Sequence, residues 1–298
     1  MSDLISSKNN DFDLSLGLEG THALISGGCG LIGRVIAQAF LAAGCKVTVT
    51  DIVDQDTAST VFDINDPNLC FAQADITNAE ALDNTFTRAE HSFGSPVECC
   101  IALAGLDLSV LTQTKSICDM DPGEWRRVFD VNVNGSFLTC QRWLRGIRSA
   151  AQDADKARKL KNVGLVIMGS ESGTFGVRTQ AAYAAGKSAV QYGLLRSLAK
   201  DAPRIYAKAR VNAVAPGAVD TERFRDECER YGEEFRYEEC EATVGSAKAV
   251  PPEDVARVVL MLASERFGGS VHGQCVAVDG GKMGSLVWGK GELAERGK

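Results

Sequence analysis

Histidine is scarce in this chain: only His22, His91 and His272 occur. Ten cysteines are present (29, 45, 70, 99, 100, 118, 140, 228, 240 and 275), yet none forms a Cys-x-x-Cys pair. A zinc site needs clustered ligands, so no metal is expected. Free thiols in this number suit a reducing compartment, and a cytoplasmic location is the expectation. Cys45, Cys99 and Cys100 lie in apolar stretches and read as small core residues. No apolar run approaches the roughly 18 residues a membrane helix requires. Residues 1–18 are polar and acidic, without the basic start and apolar run of a secretory signal. Basic residues are outnumbered, 32 against 39, for a net charge of −7. That balance argues against a nucleic-acid role driven by phosphate neutralisation. Proline numbers only 7, and neither a linker nor a repeat divides the chain. One domain is expected over 18–282, between an N-terminal tail (1–17) and a C-terminal tail (283–298).

What the chain does have is alternation. Short apolar runs predict strands at 22–26, 46–50, 70–73, 97–103, 163–168, 210–215 and 275–278. Longer amphipathic runs predict helices at 31–43, 78–92, 124–147, 181–200 and 253–263. The strands are rich in Val, Ile and Ala without strict alternation, as strands buried on both faces are. Regular β-α order implies a doubly wound parallel sheet with helices on both faces. Two segments exceed what such a sheet needs. Residues 149–162 (SAAQDADKARKLKN) read as a solvated surface extension. Residues 219–250 follow a strand end, where open α/β sheets bind ligands, and read as a substrate lid.

The first strand runs into Ser26-Gly27-Gly28-Cys29-Gly30-Leu31-Ile32-Gly33 and then a helix. Gly28-x-Gly30-x-x-Gly33 fits the dinucleotide fingerprint, in which glycines let the backbone approach a pyrophosphate at a helix N-terminus. The second strand ends at Asp51, 18 residues after Gly33, where an acid binds the adenosine ribose. A carboxylate there accepts from the ribose diol and repels a 2′-phosphate, favouring NAD over NADP. Arg34 would weaken that preference if it reached a 2′-phosphate. The alternative for Asp51 is a cap in a loop that also holds Asp54 and Asp56.

Tyr183 and Lys187 are four residues apart, one face of a helix, and Ser170 precedes the tyrosine by thirteen. A phenol near its ordinary pKa of about 10 is a poor acid or base at neutral pH. A cation one turn away favours phenolate and is expected to bring that value down. Ser170 then offers a hydroxyl to hold a substrate oxygen against Tyr183.

Taken in order, these residues resemble the short-chain dehydrogenase/reductase family, of the classical type. The likeness covers 18–282. Its markers include the glycine turn, Asp75, Ala104-Gly105, Asn132, Ser170, Tyr183/Lys187, Pro216-Gly217-Ala218-Val219-Asp220-Thr221 and Val278-Asp279-Gly280-Gly281. The resemblance implies a Rossmann fold and an NAD(P)-dependent oxidoreductase interconverting a secondary alcohol and a ketone. It makes Tyr183 the acid/base. Lys187 would tune Tyr183 and hold the nicotinamide ribose; Ser170 would polarise the substrate oxygen; Asn132 would support a proton relay. Gly27, Gly30, Ile32 and Gly33 would contact the pyrophosphate, Asp75 and Ile76 the adenine, and Val219 and Thr221 the carboxamide. It also implies a homodimer or homotetramer. The sequence departs from the family twice. Gly27-x-x-Gly30-x-x-Gly33 has the spacing of the extended branch, and Ala102-Leu103-Ala104-Gly105 stands where Asn-Asn-Ala-Gly is usual. The missing amides imply differently arranged cofactor contacts.

Two other readings remain open at this level. One keeps the cofactor but makes the enzyme an epimerase, dehydratase or cyclisation helper. The other is a nucleotide-sensing binding protein without turnover. Residues 220–241 carry ten acids against four arginines, with Phe224, Tyr231, Phe235 and Tyr237 interleaved. Such a segment suits an apolar or aromatic small molecule better than a polyanion; an amphipathic surface helix packing its aromatics on the body is the alternative.

Overall fold

The computed structural model describes residues 13–296. The first twelve residues of the expected N-terminal tail and the last two of the C-terminal tail lie outside the described residues. Seven strands, β1 (His22–Ser26), β2 (Lys46–Asp51), β3 (Leu69–Gln73), β4 (Cys99–Ala102), β5 (Gly164–Met168), β6 (Arg210–Pro216) and β7 (Cys275–Val278), form one sheet in the order β3-β2-β1-β4-β5-β6-β7. Every pairing is parallel. The order reverses at β1, which feeds β2 on one side and pairs with β4 on the other. Ligand crevices form at such a switch point.

Helices α1 (Gly33–Ala42), α2 (Gln55–Val61), α3 (Ala79–Phe93), α4 (Pro122–Phe129), α5 (Ser136–Gln152) and α6 (Ala154–Ala157) occupy the first half. The second half holds α7 (Ser172–Phe175), α8 (Ala181–Ser188), α9 (Leu195–Ile205), α10 (Glu222–Tyr231), α11 (Glu233–Arg236), α12 (Pro252–Ala263), α13 (Glu265–Gly268) and α14 (Lys290–Arg296). Successive strand residues point to opposite faces, so β1 divides its side chains. Ala23 and Ile25 enter a core with Ile36, Phe40, Val255 and Val259 of α1 and α12. Leu24 enters another with Phe86, Trp143, Ile147 and Leu195 of α3, α5 and α9. Both sheet faces are covered, as the apolar strand sequences predict.

Two long predicted helices are each interrupted by a π-helical segment, Asp130–Gly135 between α4 and α5 and Ala189–Leu194 between α8 and α9. The widened turns sit where Asn132 and Gln191 point inward, and such bulges frequently mark functional sites. Helix α2 is absent from the sequence prediction, because QDTASTV buries only Ala58 and carries no apolar stripe. Its start is fixed by Asp54, which accepts from the Thr57 N–H at 2.8 Å. The surface-extension expectation for 149–162 is corrected in part. Helix α5 runs on to Gln152, and Ala150, Leu160 and Asn162 are buried. Cys45, Cys99 and Cys100 are buried core residues, as expected, and no group of metal-ligating side chains occurs among the described residues.

Candidate active site

The carboxyl ends of β1, β4, β5 and β6 open into one cavity of about 810 Å³. Its floor at one end is the glycine turn. Gly27 takes φ +69°, and a Cβ there would stand 2.7 Å from Ala104 Cα. A Cβ on Gly33 would collide with the Gly27 carbonyl. The two glycines therefore let the turn fold onto β4 and bring the start of α1 to the cavity wall. Helix α1 has neither a side-chain cap nor an acid in its first turn. Its N-terminal amides and positive dipole end are thus left for an anionic ligand, and a pyrophosphate fits this cradle. Gly27, Gly30 and Ile32 line the cavity.

Ser26 braces the loop after β4. Its Oγ accepts from the N–H groups of Leu103 at 3.1 Å and Ala104 at 3.3 Å, tying β1 to the loop after β4. Asn132, 1% exposed, holds the next residues. Its Oδ1 accepts from Leu106 N–H at 2.7 Å and its Nδ2 donates to Leu106 O at 2.9 Å.

Ser170, Tyr183 and Lys187 meet on the cavity wall. Lys187 Nζ lies 5.7 Å from the Tyr183 ring centroid and donates to Met168 O at 2.9 Å. The Ser170 backbone N–H donates to Gln191 Oε1 at 2.9 Å, and its hydroxyl accepts from Ser172 N–H at 3.2 Å. Burial pushes the Tyr183 phenol up to about 12, against the smaller lowering by Ser170. Burial also brings Lys187 down to about 8, partly offset by the Asp107 carboxylate. The expectation that the phenol pKa is lowered is therefore corrected: loss of water, with the charges of Asp107 and Glu171, raises it, and Ser170 alone opposes the rise.

Asp51 lines the cavity, and its carboxylate accepts from Cys29 N–H at 2.9 Å and Ile52 N–H at 2.8 Å. Arg34 pairs with Glu222 at 3.2 Å. Asp75 Oδ1 accepts from both N–H and Oγ1 of Thr77, a turn contact, while the residue still lines the cavity. Ile76 is buried, its side chain filling the space beside Gly135. Val219 bridges to Val250, and Thr221 caps α10 by accepting from Phe224 N–H at 3.2 Å; both line the cavity.

Residues of the segment after β6 line the cavity. Arg223 donates to Asp107 Oδ2 at 2.6 Å and to Ser109 Oγ at 2.9 Å. Phe224 and Phe235 line the cavity and lie 6.2 Å apart, so these aromatics face the chamber. The chain beyond β7 packs back onto this segment. Met283 N–H donates to Thr243 O at 2.9 Å, Val287 N–H to Ala242 O at 2.7 Å, and Tyr237 Oη to Trp288 O at 2.9 Å.

Three groups at the site escape sequence reasoning. Gln191 is fully buried and fixes Ser170 through its backbone, yet it belongs to no motif. Glu171 and Lys282, 111 residues apart, pair at 3.4 Å inside the cavity. Burial raises Glu171 to about 7 despite that partner. Only the adjacency of Glu171 to Ser170 in sequence offers a clue.

A family model described as enoyl-(acyl carrier protein) reductase matches residues 30–282. The chain is 31% identical over 264 residues to the 3-oxoacyl-[acyl-carrier-protein] reductase MabA of Mycobacterium tuberculosis, spanning 87% of this chain and 91% of that protein. The chain belongs to the short-chain dehydrogenase/reductase family. It is 30% identical over 281 residues to the tetrahydroxynaphthalene reductase of Pyricularia oryzae, covering 90% and 91% of the two chains. The solved structure of gox2181 superposes with a TM-score of 0.76 at 27% identity, covering 89% of this chain and 96% of that one. As a member of this family the chain is an NAD(P)-dependent oxidoreductase acting on an alcohol- or ketone-type substrate. No helix among the described residues is long and apolar enough to cross a membrane.

Proposed function

We propose that this short-chain dehydrogenase/reductase interconverts a secondary alcohol and a ketone by hydride transfer, with Tyr183 as acid/base. The observation that carries the reading is the convergence of Ser170, Tyr183 and Lys187 on the cavity whose other end is the glycine cradle. The nicotinamide supplies or removes the hydride; the chain binds, orients and moves the proton. Ser170 Oγ holds the substrate oxygen beside Tyr183 Oη, which gives up or receives the proton on that oxygen. Lys187 Nζ, anchored on Met168 O, supports the tyrosine and reaches the nicotinamide ribose. Asn132 keeps the Leu106 loop in place and belongs to the proton path. Gly27, Gly30, Ile32 and Gly33 hold the pyrophosphate, Asp75 and Ile76 the adenine, and Val219 and Thr221 the carboxamide.

NAD is the preferred cofactor. Asp51 presents a carboxylate beside the glycine turn, and Arg34, the basic residue nearest that turn in sequence, is held by Glu222. Residues 219–250 act as a lid. The substrate is an apolar or aromatic small molecule: Phe224 and Phe235 line the chamber, and the acids of residues 220–241 repel a polyanionic carrier. MabA is named for a carrier-bound substrate and tetrahydroxynaphthalene reductase for a hydroxylated aromatic; the acidic lid favours the second kind. The enzyme works as a homodimer or homotetramer.

The test is a panel of secondary alcohols and ketones with NAD(H), followed by nicotinamide absorbance. Stoichiometric oxidation or reduction of the cofactor supports the reading. Substrate conversion with no net cofactor change supports an epimerase or dehydratase instead. Tight NAD binding with no conversion across the panel supports a sensor.

A further inference from the structure

We propose that Glu171 and Lys282 form a hydroxyl-recognition pair at the substrate end of the cavity, so that the substrate carries a second, uncharged hydroxyl besides the reacting carbon–oxygen group. This rests on the oxidoreductase reading and deepens it.

Glu171 follows Ser170 directly, and its backbone N–H donates to Pro216 O at 2.8 Å, which fixes it across the ends of β5 and β6. Its side chain is 12% exposed and that of Lys282 13%. Both line the same chamber as Tyr183, Phe224 and Phe235. The Glu171 charge reaches the Tyr183 phenol, one of the influences that raise it. Lys282 is held by its own backbone, donating from N–H to Asp279 Oδ1 at 3.2 Å and bridging to Val244.

The pair is incompletely satisfied. Lys282 Nζ stands 3.4 Å from Glu171 Oε1 and 3.4 Å from Glu239 O. Both contacts are longer than the roughly 2.7–2.9 Å of a good charge-assisted hydrogen bond. Glu171 Oε2 is buried and has no hydrogen-bond partner among the described residues. Buried polar atoms without partners are rare in folded proteins and call for a specific explanation. Here a carboxylate oxygen can still accept and an ammonium can still donate. A hydroxyl does both at once, donating to one and accepting from the other. A ligand carboxylate would meet Glu171, Glu239 and Asp279 together against one ammonium. A ligand ammonium would compete with Lys282 for the Glu171 carboxylate and add a second cation beside it. An uncharged hydroxyl is the group that completes the pair without adding charge. A site built to hydrogen-bond a hydroxyl rejects the analogue lacking it far more strongly than an apolar pocket rejects a missing methylene.

The experiment uses the full chain, NADH, and a series of bicyclic ketones: 1-tetralone and its ring-hydroxylated, ring-carboxylated and ring-aminated derivatives. Steady-state kcat/KM and calorimetric affinity are measured for wild type, Glu171→Gln and Lys282→Met, with thermal melts to check that each variant folds. The expected result is a preference of about tenfold or more for a hydroxylated isomer over 1-tetralone in wild type, falling below about twofold in either variant. Three results overturn the proposal: no preference in wild type, preference for the carboxylated or aminated ketone, or variants that lower all ketones equally, as a purely structural pair would. If no ketone is reduced, the oxidoreductase reading on this substrate class fails. The affinities of the same series then still decide whether Glu171 and Lys282 select a hydroxyl.

Discussion

Tyr183 and Lys187 both lose water when the chain folds, and each shifts to favour its own neutral form, the phenol up to about 12 and the ammonium down to about 8. The same rule governs Glu171. In the folded chain it keeps its proton up to about 7, whereas the ordinary value is 4.5. Between those values the native state binds more protons than the unfolded chain, so stability falls as pH rises through that window. The contribution is complete below 4.5 and lost above about 7. Glu171→Gln mimics the protonated form, so its melting temperature relative to wild type should be higher at pH 8 than at pH 5. The corresponding energy is at most about 3 kcal/mol. An equal difference at both pH values would contradict burial as the cause. Asp51 is legible from spacing alone, but its contacts to Cys29 and Ile52 N–H are not. Asp51→Ala should weaken NADH binding about tenfold and narrow the gap to NADPH in calorimetry. Tighter NADPH binding already in wild type would reverse the cofactor assignment.

At the scale of elements, periodicity made the strands and long helices visible, because apolar stripes and runs follow directly from burial. It could not show where a helix widens. Asp130–Gly135 and Ala189–Leu194 have helical sequences, and only tertiary contacts, such as Asn132 on Leu106 and Gln191 on Ser170, explain their π turns. The glycine turn was legible because close backbone approach admits few residue types. The Glu171–Lys282 pair was not, since no local pattern joins residues 111 apart. The expectation of a lid over 219–250 comes from length alone, while the contacts that hold this segment are long-range. Trp288 Nε1 donates to Val244 O at 3.1 Å and Gly245 O at 3.3 Å, and Lys290 pairs with Glu234. Trp288→Ala should free this segment. We expect faster proteolytic cleavage within 222–245 and a KM raised several-fold, with kcat changed less. Unchanged cleavage and kinetics would show that the C-terminal contacts do not hold the lid.

For the whole molecule, the parallel sheet brings the carboxyl ends of its strands to one cavity, so residues from 27 to 282 share a single chamber. That geometry makes the overall reaction readable from a few motifs, while the substrate depends on side chains that converge only on folding. The central claim is that Tyr183 carries the proton during hydride transfer. Tyr183→Phe tests it most directly, with kcat measured by nicotinamide absorbance on a ketone that wild type reduces and NADH affinity measured in parallel. We predict a fall in kcat of about 10²–10⁴-fold with affinity within a few-fold of wild type; a variant that keeps more than about a tenth of kcat would contradict the account.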